Sequence, residues 1–145
     1  MERGTIYVHN PFLTKNRRIT RGKFVIRQVT TGCTFRLKAR NGEVIATSEV
    51  YSGEAACRKG IASVAKNAPI AGLYDSTDAN AEAVSNPKFE VYLDKSQAFR
   101  FRLKAKNGET IAVSEGYTSK QACLNGIESV RKNAVDADII LEDAN

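Results

Sequence analysis

Tryptophan is absent from the 145 residues, histidine occurs once, at His9, and cysteine three times, at Cys33, Cys57 and Cys123. One histidine leaves no relay in which an imidazole base, oriented by a third group, activates a serine or cysteine. An odd number of cysteines without a C-x-x-C spacing, beside that single histidine, argues against a zinc site. Small buried thiols in a reducing compartment are the expectation. Phosphate-loop, dinucleotide-binding and metal-ligand motifs are missing as well. No apolar run approaches the ~18 residues that cross a bilayer, and residues 1–20 lack the apolar centre of a secretory signal. These absences lead to the expectation of a cytoplasmic protein with no membrane partner, no cofactor, no bound metal and no enzymatic activity.

What is present is a sequence written nearly twice. Residues 35–68 read FRLKARNGEVIATSEVYSGEAACRKGIASVAKNA and residues 101–134 read FRLKAKNGETIAVSEGYTSKQACLNGIESVRKNA, with 22 of 34 positions identical at a constant offset of 66. Self-similarity of this kind means two copies of one folding unit. Each copy with its flanks is roughly 50–60 residues, a size at which an isolated unit is marginal. Two copies sharing one core, a monomer with internal pseudo-symmetry, is therefore the expected organisation. The net charge of +6 is unevenly spread: residues 1–22 carry five Lys/Arg against one acid, whereas residues 69–87 and 135–145 carry acids and no Lys/Arg.

Periodicity gives the elements of one copy. Phe89, Val91 and Leu93 alternate with Glu90 and Tyr92, a half-buried strand; Phe24 and Ile26 alternate with Val25 and Arg27 in the first copy. Phe35, Leu37 and Ala39 then alternate with Arg36, Lys38 and Arg40, as Phe101, Leu103 and Ala105 do with Arg102, Lys104 and Lys106. Asn41-Gly42 and Asn107-Gly108 signal hairpins. A three-residue loop with a left-handed glycine sets Leu37 opposite Ile45 and Leu103 opposite Ile111, which keeps the isoleucines off the charged face. Ala46, Ser48, Ala112 and Ser114 are then expected to point outward. After Tyr51 and Tyr117 the period becomes helical, with Ala56, Cys57, Gly60, Ile61 and Val64 on one face and Ala122, Cys123, Gly126, Ile127 and Val130 on its counterpart. Ser52 and Thr118 are the expected N-caps, Thr118 with Gln121 forming a capping box. Asn67 and Asn133 suit left-handed C-terminal positions. A glycine inside each helix, costing roughly 1 kcal/mol against alanine, implies a close approach of the backbone to a neighbour. Short apolar runs at 70–74 and 138–142 complete a βββαβ unit.

The tandem string FRLKA, NGE, SE, Y, GI-SV and KNA resembles the YegP-like family of small bacterial and archaeal proteins, over about residues 23–142. The resemblance implies an α+β fold in which two βββαβ repeats form one antiparallel sheet with both helices on one face, the last strand of each repeat being exchanged into the other. It implies no transferable activity. The organisation expected is an N-terminal basic arm over 1–22, with 5–9 as an extra strand and 15–21 as the basic stretch. Repeat 1 follows over 23–74, an acidic linker over 75–87, repeat 2 over 88–142 and a tail over 143–145.

Two functional readings remain. The first is a small binding or assembly module with a protein or undefined partner, acting through the repeated corner of Ser48, Glu49 and Tyr51 (Ser114, Glu115 and Tyr117) or through strand edges. The second is binding of single-stranded nucleic acid or another polyanion on the outer sheet face. Residues two apart on a strand are about 6.5–7 Å apart, close to the phosphate spacing of an extended strand. Arg36, Lys38 and Arg40 form one such row and Arg100, Arg102, Lys104 and Lys106 another, with Tyr92 beside them to stack on a base. The same cations also suit a plain solvated face, paired with Glu43, Glu49, Glu109 and Glu115.

Overall fold

The computed structural model describes residues 22–142. The expected basic arm, the strand over 5–9 and the tail over 143–145 lie outside the described residues. The order of elements is β1 (Lys23–Val29), β2 (Gly32–Lys38), β3 (Val44–Thr47), α1 (Glu54–Asn67), β4 (Gly72–Asp75), β5 (Lys88–Leu93), β6 (Phe99–Lys104), β7 (Thr110–Val113), α2 (Lys120–Asn133) and β8 (Asp138–Leu141). This is βββαβ twice. All eight strands form one sheet in the order β4-β5-β6-β7-β3-β2-β1-β8.

The last strand of each repeat sits on the first strand of the other, as the family resemblance implies: β4 pairs with β5, and β8 with β1. Both outer pairs are parallel, so the sheet is mixed rather than antiparallel throughout. Hydrophobic periodicity fixes which face a residue occupies and carries no information on strand direction. A parallel neighbour needs a crossover of about a dozen residues, which is the length of the linker between β4 and β5.

Alternation along the strands builds the core. Phe24, Ile26, Phe35, Leu37, Phe89, Val91, Phe101 and Leu103 are all buried to within 1% of full burial and face the helices. Leu93, expected inside, is 42% exposed at the end of β5. Cys57, Gly60, Ile61 and Val64 of α1, and Cys123, Gly126, Ile127 and Val130 of α2, close the core from above. Each helix crosses the repeat boundary, α1 lying over β1, β2 and β7 and α2 over β6, β3 and β2.

The hairpins have the three-residue loop, with Gly42 at φ 92° and the Ala39 amide donating to the Glu43 carbonyl. Beyond the turn, however, each ladder shifts by one residue. Leu37 faces Ala46 and Leu103 faces Ala112, not Ile45 and Ile111. A bulge sets two residues of one strand against one of its partner. It takes both Ile45 and Ala46 into the core, at 5% and 1% exposure. Thr47 and Val113 consequently share the outer face with Arg36 and Arg102. Ser48 turns back to the backbone, its Oγ accepting from the Phe35 amide at 2.9 Å, and Ser114 does the same for Phe101.

The helix ends also differ from expectation. The N-caps are Gly53 and Ser119, one residue later than Ser52 and Thr118, and Ser119 Oγ accepts from the Ala122 amide. Asn67 and Asn133 remain right-handed ends of their helices. Their side-chain amides donate back to the Ser63 and Ser129 carbonyls at 2.8 and 2.9 Å, one turn earlier in each helix, which holds the side chain against the last turn.

The helix glycines have a specific cause. Tyr51 stacks on Phe35 with centroids 6.1 Å apart and Tyr117 on Phe101 at 6.4 Å. Each tyrosine ring is thereby pressed onto the helix: a Cβ at Gly60 would lie 2.7 Å from Tyr51 Cζ, and one at Gly126 2.8 Å from Tyr117 Cζ. Gly126→Ala gains about 1 kcal/mol of helix propensity but overpacks a ring already wedged against phenylalanine, at a cost of roughly 1–3 kcal/mol. A lower urea midpoint than wild type is expected, and a higher midpoint would show that the ring can yield.

Candidate anion-binding sheet face

Among the described residues the helices cover one side of the sheet and leave the other open. On that open side the residues alternating with the core are Lys23, Val25 and Arg27 of β1, Arg36 and Lys38 of β2, and, in repeat 2, Lys88, Glu90, Tyr92, Arg100, Arg102 and Lys104. A floor of shorter side chains from β3 and β7 separates the two groups, joined at the pair Thr47 and Val113. Period-2 alternation alone puts these side chains on one face, and strand order alone brings them together.

Of the eight residues expected to act, six share this face: Arg36, Lys38, Tyr92, Arg100, Arg102 and Lys104. Arg40 and Lys106 lie past the ends of their strands, in the hairpin loops. Arg40 lines a pocket with Lys23 and Lys38, while Lys106 lines one with Lys59 and Lys66 of α1. The rows are thus shorter than the alternation suggests.

Most of the arginines are already engaged. Arg100 Nε donates to Asp94 Oδ2 at 2.7 Å, and its η1 nitrogen to the Ser114 carbonyl at 3.0 Å. Glu90 Oε1 lies 3.4 Å from both Arg102 Nε and Lys104 Nζ. Arg36 reaches Glu142 at 3.2 Å, and Arg27 reaches the same carboxylate at 3.7 Å. Tyr92 does not offer a free ring face for a base on the side where the Arg102 guanidinium lies 3.9 Å from its centroid. The carboxylates in these pairs are Glu90, Asp94 and Glu142, none of the four expected from the hairpins. Glu90 was legible as an outer-face residue from its alternation with Phe89 and Val91. Glu142 was not, because its neighbours come from the other repeat.

Lys23 stands opposite Lys38 in the ladder, and Lys88 opposite Lys104. Among the described residues neither Lys23 nor Lys38 makes an ion pair. In repeat 2 the strain is relieved: Lys104 has Glu90, and Lys88 donates to the Val84 carbonyl at 3.1 Å with its ammonium 5.1 Å from the Tyr74 ring centroid.

The nucleophiles offer little. Cys33, Cys57 and Cys123 are buried free thiols. Burial, then Cys33, pushes the Cys57 thiol up to about 11, and burial does the same for Cys123, so little reactive thiolate exists near neutrality. Burial raises the Tyr51 and Tyr117 hydroxyls too, with Glu49 next in weight for Tyr51. The described residues hold no group of three or more His, Cys, Asp or Glu placed to ligate a metal, and no helix long and apolar enough to cross a membrane.

These features define a class: a tandem-repeat α+β protein with one helical face and one open, cation-bearing sheet face. The chain belongs to the family described as a domain of unknown function, DUF1508, whose pattern matches residues 32–75 and 94–140, once in each repeat. It is similar to the UPF0339 protein YegP of Yersinia pestis, 42% identical over 115 residues that span 79% of this chain and 89% of that one. A UPF0339 protein of Treponema denticola is 70% identical over 53 residues, 37% of this chain and 91% of the relative. The solution NMR structure of yegP from E. coli, described as a protein of unknown function, matches with a TM-score of 0.71 at 30% identity, covering 88% of this chain and 97% of that one.

Asp94 gives the site a measurable pH signature. Arg100, then Ser96 and the Ala98 amide, hold its carboxyl well below the usual carboxylate range. A depressed folded value means that its contribution is complete above the ordinary aspartate value of 3.8 and is lost as pH falls from there toward the depressed one. Asp94→Asn is therefore expected to be less stable than wild type at pH 7, with the difference shrinking between about pH 4 and pH 2. Urea midpoints at pH 7, 4 and 2 read this directly, and a difference independent of pH would contradict it.

Proposed function

We propose that the protein is a non-enzymatic binding module that takes an anionic partner, a nucleic-acid strand or another polyanion, on its open sheet face. The observation that carries this reading is the lysine-on-lysine pairing of Lys23 with Lys38 and Lys88 with Lys104. Like charges directly opposite one another on a sheet cost stability, on the order of 0.2–1 kcal/mol each. The arrangement occurs in both repeats, where a folding requirement alone favours opposite charges. Arg36 and Lys38 are also repeated as Arg102 and Lys104, while exposed helix positions differ between the copies, as at Ala62 and Glu128 or Lys59 and Asn125. Lys/Arg side chains on the face outnumber its carboxylates, Glu90, Asp94, Asp138 and Glu142. The raised thiols support the non-enzymatic part of the reading. Titration of labelled single-stranded DNA, RNA and heparin at two salt concentrations is the test. Binding should weaken steeply with salt, and Lys38→Glu combined with Lys104→Glu should weaken it at least about tenfold. No binding at low salt would sink the reading, and a nucleic-acid role requires nucleic acid to outcompete heparin.

A second reading, assembly through a strand edge, is favoured by β8. Among the described residues it is the last strand of the sheet, paired only with β1, and exposes Ile139, Ile140 and Leu141 at 43%, 39% and 53%. Unpaired edges with apolar side chains recruit further strands. Sedimentation over a hundredfold concentration range should then show dimer formation that Ile140→Lys abolishes; a monomer throughout excludes this reading.

A further inference from the structure

The two repeats present the same cations on the open face and differ in what answers them. In repeat 2, Glu90 places one carboxylate oxygen 3.4 Å from both Arg102 and Lys104. The ladder pairs Glu90 with Arg102 as it pairs Val25 with Arg36, so Val25 is the counterpart of Glu90. Arg36 and Lys38 keep their identity and register, but β1 brings them no carboxylate. Glu142 reaches one end of Arg36, through the η2 nitrogen at 3.2 Å. Arg36 Nε is buried without a hydrogen-bond partner; so is Arg102 Nε, which has the charge of Glu90 beside it. Lys23 lacks both contacts that its counterpart Lys88 makes with Val84 and Tyr74. At this point the face opens into a pocket of about 300 Å³ lined by Lys23, Val25, Lys38, Arg40, Ile140 and Glu142, among others.

We propose that this pocket of repeat 1 binds a phosphate group, seated where repeat 2 carries the Glu90 carboxylate and held by Lys38 and Lys23 with Arg36 behind them. Repeat 2 supplies the template, since the same arginine–lysine pair there already surrounds an oxyanion. Charge selects phosphate over carboxylate. One carboxylate satisfies Arg102 and Lys104, whereas repeat 1 gathers Lys38, the unbonded Arg36 Nε and Lys23, the last beside its register partner Asp138, and three donors suit the three terminal oxygens of a phosphate monoester better than the two of a carboxylate. Glu142 lines the β8 side of the pocket and Asp138 neighbours Lys23, so repulsion from both favours a phosphate seated over Lys38. The inference rests on the anion-binding reading of the open face and narrows it to one pocket and one chemical group.

The test follows backbone amide shifts of residues 23–25 and 36–38, against those of 88–90 and 102–104, during titration with inorganic phosphate and separately with acetate at constant ionic strength. Saturable shifts confined to repeat 1, with phosphate tighter than acetate, are expected. Val25→Glu rebuilds the repeat 2 arrangement and should weaken phosphate at least tenfold. Lys38→Gln, which leaves the packing of Val25 intact, should do the same. Glu90→Val should open a second set of saturable shifts in repeat 2. Linear shifts in both repeats, acetate binding as tightly as phosphate, or a Val25→Glu protein that titrates like wild type would each overturn the pocket. Single-stranded DNA binding undiminished by Val25→Glu would overturn this pocket as the anchor of the polyanion while leaving the open-face reading standing.

Discussion

The reciprocal exchange of the last strands is the constraint on which the rest of this structure depends. Strand β4 leaves repeat 1 to complete the edge beside β5, and β8 leaves repeat 2 to complete the edge beside β1. Direct pairing between the halves in the middle of the sheet is slight, with β3 and β7 meeting at the single register pair of Thr47 and Val113. What makes one domain of two repeats is therefore the outer strands together with helices that straddle the boundary. A unit of this size alone has too little apolar surface to bury for ample stability, and exchange lets both repeats close one core.

Pseudo-symmetry of the backbone does not extend to the charges. The ties that hold β4 come from α2: Lys120 pairs with Asp75 at 2.7 Å, and Arg131 donates to the Ala68 and Ala71 carbonyls at 3.0 and 2.8 Å. Their counterparts in α1 are Glu54 and Ala65, which leave β8 to be held by Glu142 and the arginines of repeat 1. The same asymmetry reaches the open face, where Glu90 answers the cations of repeat 2 and Val25 leaves those of repeat 1. The two repeats thus share a scaffold, while the carboxylates that face its cations come from β5 within repeat 2 and from the exchanged β8 in repeat 1.

The corner tyrosines show how a repeated motif can be structural. Tyr51 and Tyr117 are each fixed by backbone bonds to Cys33 and Phe99, by stacking on a phenylalanine and by contact with a helix glycine. The serine three residues before each binds a strand amide. This corner sets the angle at which the helix leaves the sheet, which accounts for its repetition without a ligand.

The sequence by itself determined the duplication, the order of elements and the face of the side chains in the first two strands and the helix of each repeat up to their ends, because periods of 2 and 3.6 and the Asn-Gly turns are local properties of the chain. It did not determine the bulge that buries both Ile45 and Ala46, since two adjacent apolar residues satisfy either register until the core is assembled. Nor did it determine the parallel direction of the outer strands or the one-residue shift of the helix caps. The meeting of charges was decided only by tertiary structure. Alternation tells which side of the sheet Arg36 faces, but Glu142, more than a hundred residues away, comes within 3.2 Å of it only because β8 is exchanged across to β1.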